Sequence, residues 1–163
     1  MVDKSQSDFS LSALAQYPSH VHQISEWLFE EWGDDVEGRT IKQYSDVLKH
    51  RMNVDELPVA FVALASDELI GTASLVCNEI SSLRQYKNWL ASVFVAPERR
   101  RQGWGARIVR GVVQVAPDYG IDELFLYTRS HTDFYRQLGW EYLDTVQYRN
   151  RDAMIMRHKL PMI

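Results

Sequence analysis

The chain has 163 residues, 45% of them hydrophobic and 25% charged, which is ordinary for a single folded domain with its own core. The formal net charge of −4 argues against a broad nucleic-acid interface, because phosphate backbones select basic surfaces. No apolar run is long enough to span a bilayer, and the single cysteine, Cys77, has no partner for a disulfide or a zinc site. We expect one domain over residues 1–163, with residues 1–8 as a flexible tail, in a reduced cytoplasmic setting without membrane attachment.

The first part of the chain predicts a strand followed by two helices. Residues 9–14 form the strand. Apolar side chains then recur at helical spacing from Val21 to Trp32, and Gly33 ends this helix. A polar, acidic loop follows, and Thr40 is positioned to cap a second helix.

Two strands come next and form a hairpin. Pro58–Ala65 and Glu68–Asn78 are rich in apolar residues, and the intervening Ser66-Asp67 is typical of a tight two-residue turn. Gly71 lies inside the second strand, where a glycine indicates a β-bulge or close packing.

The second half predicts a strand–helix–strand–helix unit and a last hairpin. Trp89–Val95 is an apolar strand that stops before Pro97, because proline has no N–H for a ladder. The helix that follows has an apolar face and ends at residues 117–120. Leu124–Thr128 predicts the next buried strand, and Asp133–Trp140 predicts a short helix closed by a glycine. The final strands are Glu141–Val146 and Ala153–Lys159.

The loop between the predicted strand at Trp89–Val95 and its helix combines arginines with glycines. Glycine lets the backbone approach a ligand closely, and the first N–H groups of a helix favour an anion such as a pyrophosphate. A Walker loop is excluded because Ala106-Arg107 stand where Lys and Ser or Thr are needed. A dinucleotide-binding loop is disfavoured because Ile108 replaces its third glycine. The remaining pattern is R-x-x-G-x-G, formed by Arg100, Gly103 and Gly105.

This pattern, followed about thirty residues later by Phe134-Tyr135 and Leu138-Gly139-Trp140, resembles the GNAT superfamily of acyl-CoA-dependent N-acetyltransferases. The resemblance implies an α/β (α+β) fold with a central mixed, mostly antiparallel sheet of about seven strands, splayed in the middle and flanked by about four helices. It also implies direct transfer of the acetyl group of acetyl-CoA to an amine of a small molecule or a peptide, in a ternary complex and without a metal. The acidic balance of the chain suits a cationic amine.

The resemblance assigns coenzyme A contacts to two segments. Val93 and Val95 would hydrogen-bond the pantetheine arm through their backbones, and an N–H near Val93 would stabilise the carbonyl oxyanion. The main chain from Arg101 to Ala106, aided by Arg100, would hold the pyrophosphate. Arg101 stands where many members have glycine, which requires that its φ suit a non-glycine residue. The complete predicted set is Val93, Phe94, Val95, Arg100, Arg101, Gln102, Gly103, Trp104, Gly105, Ala106, Phe134 and Tyr135.

Tyr135 is the predicted general acid for the departing thiolate, because an unperturbed phenol has a pKa near ~10. Neighbouring helix residues point about 100° apart, so we expect Phe134 in the core and Tyr135 toward a cleft. A core tyrosine bonded to backbone is the alternative. The general base stays open, with Glu79 as the first candidate and Glu30 or Glu31 as the others.

Several residues have two interpretations. Glu30, Glu31 and Trp32 are candidate acceptor contacts, and a solvated acidic loop is an equal alternative. His131 suits a helix-start or surface role better than catalysis. Trp104 is expected to pack under its helix rather than to stack on adenine.

Two alternative functions remain open. One is a nonenzymatic acyl-CoA-binding or sensing module. The other is a toxin that acetylates aminoacyl-tRNA, against which the acidic balance argues; we expect no nucleic-acid partner. The edge of the C-terminal hairpin allows a homodimer.

Overall fold

A computed structural model describes residues 8–161 of the chain. The predicted tail lies outside the described residues except for Asp8. The strands are β1 (Phe9–Ala13), β2 (Val59–Ala65), β3 (Glu68–Cys77), β4 (Asn88–Val95), β5 (Glu123–Thr128), β6 (Glu141–Tyr148) and β7 (Arg151–Lys159). The four α-helices in the described part are α1 (Val21–Trp32), α2 (Ile41–His50), α3 (Trp104–Val115) and α4 (Thr132–Gln137).

The strands form one 7-stranded sheet in the order β1-β2-β3-β4-β5-β7-β6. All neighbours are antiparallel except β4 and β5, which are parallel. This mixed sheet with its four helices confirms the predicted fold class. None of the helices within residues 8–161 is long and apolar enough to cross a membrane.

Local sequence signals account for the element boundaries. Thr40 and Gln43 form a capping box at the start of α2, in which the Gln43 N–H donates to Thr40 Oγ1 at 3.3 Å and the Thr40 N–H donates to Gln43 Oε1 at 2.8 Å. The β2–β3 turn has Ser66 and Asp67 at φ 49° and 65°, as a type I′ turn requires. Helix α1 ends at Trp32, immediately before Gly33.

Gly71 on β3 has both features that the sequence indicated. The β2–β3 register shifts between Ala63 and Leu64, next to the partner of Gly71. A Cβ at Gly71 would lie 2.5 Å from the carbonyl oxygen of Phe94 and 2.8 Å from Ile108 Cδ1. Strand β4 and helix α3 therefore approach this point of β3 more closely than any side chain allows.

The sheet opens between β4 and β5. The only paired residues of these two strands are Trp89 and Phe125. Beyond them β4 carries a bulge, because Thr72 and Ser74 of β3 pair with Phe94 and Ala91. A bulge bends its strand and increases the local twist, so β4 leaves β5 at this point. The predicted splay in the middle of the sheet is confirmed.

Apolar side chains cover both faces of the sheet. Helix α3 packs on one face through Ile108, Val109 and Val112, which are fully buried. On the other face α1 and α2 cover β2 and Phe94. Residues 80–86 cover Trp89 and the β5 end of the same face. The opening between β4 and β5 lies between the part of this face that α1 and α2 cover and the part that residues 80–86 cover.

Candidate functional site

The loop from β4 to α3 has two residues in the left-handed region. Arg101 has φ 63°, and Gly103, the residue before α3, has φ 84°. A Cβ at Gly103 would meet nothing within 4 Å, so the backbone angle, not space, favours glycine there. The φ angle of Arg101 falls in the small left-handed region that non-glycine residues can adopt, as required for an arginine at this position. This backbone conformation carries strain.

The start of α3 presents backbone donors to this loop. The first helical bond joins the Arg107 N–H to the Gly103 carbonyl at 3.3 Å. The N–H groups of residues 104–106 precede it and have no acceptor within the helix. With the positive end of the helix dipole, they form an anion-binding surface beside the end of β4. The structure thus brings the predicted pyrophosphate segment together with the splay.

The arginines of the loop differ in their surroundings. Arg100 Nε donates to the Val95 carbonyl at 3.1 Å, and its guanidinium lies 5.0 Å from the ring centre of Phe94. Its Nη2 is also 3.9 Å from Glu31 Oε2. Arg99 pairs with Glu68, whereas Arg101 is exposed. The Arg100 side chain therefore ties the loop to β4 and α1, while Arg101 is open to a ligand.

Trp104 and Gly105 are two of the predicted coenzyme A contacts in this loop. The Trp104 side chain is engaged in local contacts, whereas Gly105 can contact a ligand only through its backbone. Trp104 is 6% exposed and stacks on Phe9 at 6.1 Å, which confirms packing under the helix. Its Nε1 donates to Gln102 Oε1 at 3.2 Å. Gly105 has room for a methyl group, since the nearest atom to a Cβ is Phe134 Cζ at 3.6 Å.

His131 immediately precedes α4, which agrees with the helix-start role expected for it.

The burial and the pKa of Tyr135 both bear on its predicted role as general acid. Both Phe134 and Tyr135 are half-buried and pack against the same cluster, so burial does not distinguish a core residue from a cleft residue in this pair. The Tyr135 ring lies 5.0 Å from Phe134 and 6.1 Å from Trp140. Burial raises the pKa of the Tyr135 phenol to about 12, because removal from water disfavours the phenolate. The Tyr135 phenol is therefore a weaker acid than the unperturbed phenol, with a pKa near ~10, on which its predicted role was based.

Aromatic side chains from α1 lie against Phe94 on the opposite side of the splay. Trp27 stacks on its ring at 5.4 Å, and Trp32 meets it edge-on at 6.2 Å. Glu30 and Glu31 are exposed. Of the three predicted acceptor contacts, Trp32 is thus the one packed beside β4, and Glu31 lies close to the phosphate loop.

Glu79 lines a cavity of about 300 Å³ between the end of α2 and the end of β3. Burial raises the pKa of Tyr127, and the Glu79 carboxylate raises it further. Burial lowers the pKa of Arg51, and the Glu79 carboxylate acts against this shift. Arg51 Nη1 donates to Ser92 Oγ at 3.1 Å, and Ser92 lies in the β4 bulge with φ 54°. Glu79 therefore lies near Arg51 and Tyr127, and Arg51 in turn contacts the β4 bulge.

A group of charged residues lies at the end of β5, and its two arginines were not among the site residues predicted from the sequence. Asp35, from the α1–α2 connection, is 3.5 Å from Arg129 Nη1 and 3.4 Å from Arg151 Nη1. Arg129 Nη2 donates to the Tyr148 carbonyl at 3.0 Å. One sequence signal existed: Arg129 follows the carboxyl end of a predicted parallel strand, where ligands bind in open sheets.

The described residues fit coenzyme A as a co-substrate. Residues 8–161 contain no group of three or more His, Cys, Asp or Glu that could hold a metal ion. The unbonded N–H groups at the start of α3 suit a pyrophosphate, and the opening between β4 and β5 exposes strand backbone for an extended arm.

Comparisons with known proteins agree with this geometry. The model of the Acetyltransferase (GNAT) family matches residues 21–140. An aminoglycoside 6'-N-acetyltransferase complexed with coenzyme A has a TM-score of 0.74 at 16% identity, over 94% of this chain and 99% of that chain. A spermidine N-acetyltransferase from Vibrio cholerae has a TM-score of 0.69 at 14% identity, over 94% of each chain.

An N-acetylglutamate synthase from Neisseria gonorrhoeae, complexed with coenzyme A and N-acetyl-glutamate, has a TM-score of 0.66 at 17% identity, over 94% of this chain and 35% of that chain. No curated protein matches the sequence. At these identities the solved structures share the fold, and the family model covers well over half of the chain. The chain belongs to the GNAT acetyltransferase family, whose members use acetyl-CoA.

Proposed function

We propose that the protein transfers the acetyl group of acetyl-CoA directly to an amine of a small molecule or a peptide, with both substrates bound at once. The observation that carries the proposal is the opening between β4 and β5 beside the left-handed loop that ends at Gly103. The opening offers strand backbone to an extended arm, and the loop offers helix N–H groups to phosphates.

The cofactor-binding roles follow from these positions. The main chain from Arg101 to Ala106 holds the pyrophosphate, and the exposed Arg101 side chain adds a positive charge. The backbone of Val93 and Val95 binds the pantetheine arm. Because Arg100 already donates to the Val95 carbonyl, the role of Arg100 is to hold the loop against β4.

Acetyl-CoA supplies an activated acetyl group. The Val93 N–H, beside the β4 bulge, stabilises the negative charge that develops on the acetyl oxygen. Tyr135 remains neutral at physiological pH because its pKa is about 12, so its hydroxyl donates a hydrogen bond to the leaving sulfur. A phenol this weak transfers a full proton to a thiolate only with difficulty, since thiols have a pKa of about 8.5. We retain Tyr135 as the acid in this hydrogen-bonding sense.

Glu79 is the proposed base. It lines the cavity at the end of β3 and lies close enough to Tyr127 and Arg51 to shift the pKa of each. A carboxylate at this place can accept the proton that an ammonium must lose before attack. Glu30 and Glu31 are exposed, which makes them poorer candidates for that proton transfer.

Calorimetric titration with acetyl-CoA tests the proposal, using Gly103→Ala with Gly120→Ala as its control. Both glycines have left-handed φ and open space around a Cβ, so both substitutions cost about 1 kcal/mol of stability. Only Gly103 lies in the proposed phosphate loop. We expect at least about tenfold weaker binding for Gly103→Ala, equivalent to roughly 1.4 kcal/mol, and unchanged binding for Gly120→Ala.

A thiol-release screen over an amine panel completes the test. Turnover with any amine distinguishes the enzyme from a nonenzymatic acyl-CoA-binding module. A folded wild type that binds no acetyl-CoA refutes the proposal. A cytoplasmic location and a homodimer stay predictions, to be checked by cell fractionation and by sedimentation.

A further inference from the structure

The charged group at the end of β5 has more positive than negative charge. Asp35 is the one carboxylate that contacts both Arg129 and Arg151 in the described structure, at 3.5 Å and 3.4 Å. Both distances exceed the usual 2.7–2.9 Å of a charge-assisted bond. A third guanidinium, that of Arg149, lies 4.8 Å from the ring centre of Tyr148. Three guanidiniums and the Asp35 carboxylate thus lie at this corner of the site.

Arg129 is the buried member of this group. Its side chain is 12% exposed, and that of Asp35 is 11% exposed. The Arg129 guanidinium lies 5.5 Å from the ring centre of Tyr127 and 6.0 Å from that of Tyr148. The two rings and the Tyr148 carbonyl hold it in one orientation, which reduces the entropy lost when a ligand binds.

The Nε–H of Arg129 is buried without a hydrogen-bond partner among the described residues. An unpaired buried donor destabilises a protein, so its retention calls for an explanation. A guanidinium offers its N–H groups in a planar fork that matches the two oxygens of a carboxylate. The free donor and the excess charge both suit such an anion.

Arg129 lies at the same end of the site as the proposed base. Burial is the main cause that raises the pKa of Tyr127, and the Glu79 carboxylate raises it further. The Tyr127 ring is also the one against which Arg129 rests. The site therefore has a carboxylate and a guanidinium that both act on Tyr127. This arrangement is complementary to a molecule that carries both an ammonium and a carboxylate.

We propose that Arg129 binds a carboxylate of the acceptor, so that the acceptors are amino carboxylic acids rather than polycationic amines. The proposal rests on the acetyltransferase function proposed above and names its substrate class. Asp35 competes with the substrate carboxylate for Arg129, and Glu79 receives the amine end.

Thiol-release kinetics with a homologous series of ω-amino carboxylic acids and α-amino acids, each beside its amide, test the substrate class. We expect kcat/KM to be roughly tenfold or more higher for the acids. Arg129→Gln removes this preference through KM, Arg129→Lys restores part of it, and the exposed Arg136→Gln leaves it unchanged. Amides used as well as the acids, or a preference that persists in Arg129→Gln, overturn the proposal while leaving the transferase function intact.

Asp35→Asn separates substrate recognition from a structural clamp. If Asp35 competes with the substrate, its removal lowers KM for the acids. If the residue only holds the α1–α2 connection in place, KM rises for acids and amides alike, which counts against the proposal. Thermal unfolding confirms that each variant is folded.

Calorimetry with the same acids in the presence of coenzyme A gives a readout that needs no turnover. Binding of an acid that is lost in Arg129→Gln supports the carboxylate site even if catalysis fails. Absence of binding by every acid to the folded wild type overturns it.

Discussion

Gly71 offers the sharpest test of the packing beneath the site. A methyl group there would lie 2.5 Å from the Phe94 carbonyl oxygen and 2.8 Å from Ile108 Cδ1. The Ile108 side chain can rotate, but the carbonyl belongs to β4 and moves only with the strand. Overpacking of this kind costs about 1–3 kcal/mol, and the backbone clash places Gly71→Ala at the upper end. For a chain of this size about 3 kcal/mol corresponds to a fall in Tm of roughly 6–12 °C.

Gly111→Ala is the matched control for this substitution. Gly111 lies within α3, and a Cβ there would be 3.4 Å from Leu11 Cδ2, which is ordinary contact. Alanine is the better helix former, so we expect stabilisation of about 0.5–1 kcal/mol. Denaturant and thermal unfolding measure both variants. A Gly71→Ala protein within about 0.5 kcal/mol of wild type would refute the inferred contact, because ordinary surface changes fall in that range.

Three further predictions concern the loop, the bulge and the acid. Arg101→Gly should raise the free energy of unfolding by up to about 1 kcal/mol, because φ 63° is strained for arginine; the same variant should weaken acetyl-CoA binding by calorimetry if the side chain contacts phosphate. Ser92→Ala and Ser92→Gly both remove the Oγ that accepts the Arg51 hydrogen bond, so kcat should fall in both, although glycine also relieves the backbone at φ 54°; a wild-type kcat in both variants would contradict a role for that bond. Tyr135→Phe should lower kcat with little change in KM. Burial raises the pKa of Tyr135 to about 12, so the wild-type hydroxyl should stay protonated and remain a hydrogen-bond donor from pH 7 to 10. A fall in the wild-type rate near pH 10 that is absent from Tyr135→Phe would contradict this prediction.

Sequence patterns predicted most of the fold because they act over a few residues. The capping box at Thr40, the Ser66-Asp67 turn and the glycines of the phosphate loop each depend on local backbone angles and neighbouring donors, which residue type largely determines. The loop and its adjoining strand and helix also carried the family resemblance, so the sequence was sufficient to propose the coenzyme A segment.

The tertiary structure decided the properties that depend on residues far apart in the chain. Asp35 reaches Arg129 and Arg151 across 94 and 116 positions, and Arg51 reaches Ser92 across 41. Pairs so far apart leave no periodic pattern in the sequence. The high pKa of Tyr135 likewise comes from desolvation by the packing around it. The sequence alone determined which segment is proposed to bind coenzyme A, whereas the charged group proposed to face the acceptor formed only when folding brought separate loops together.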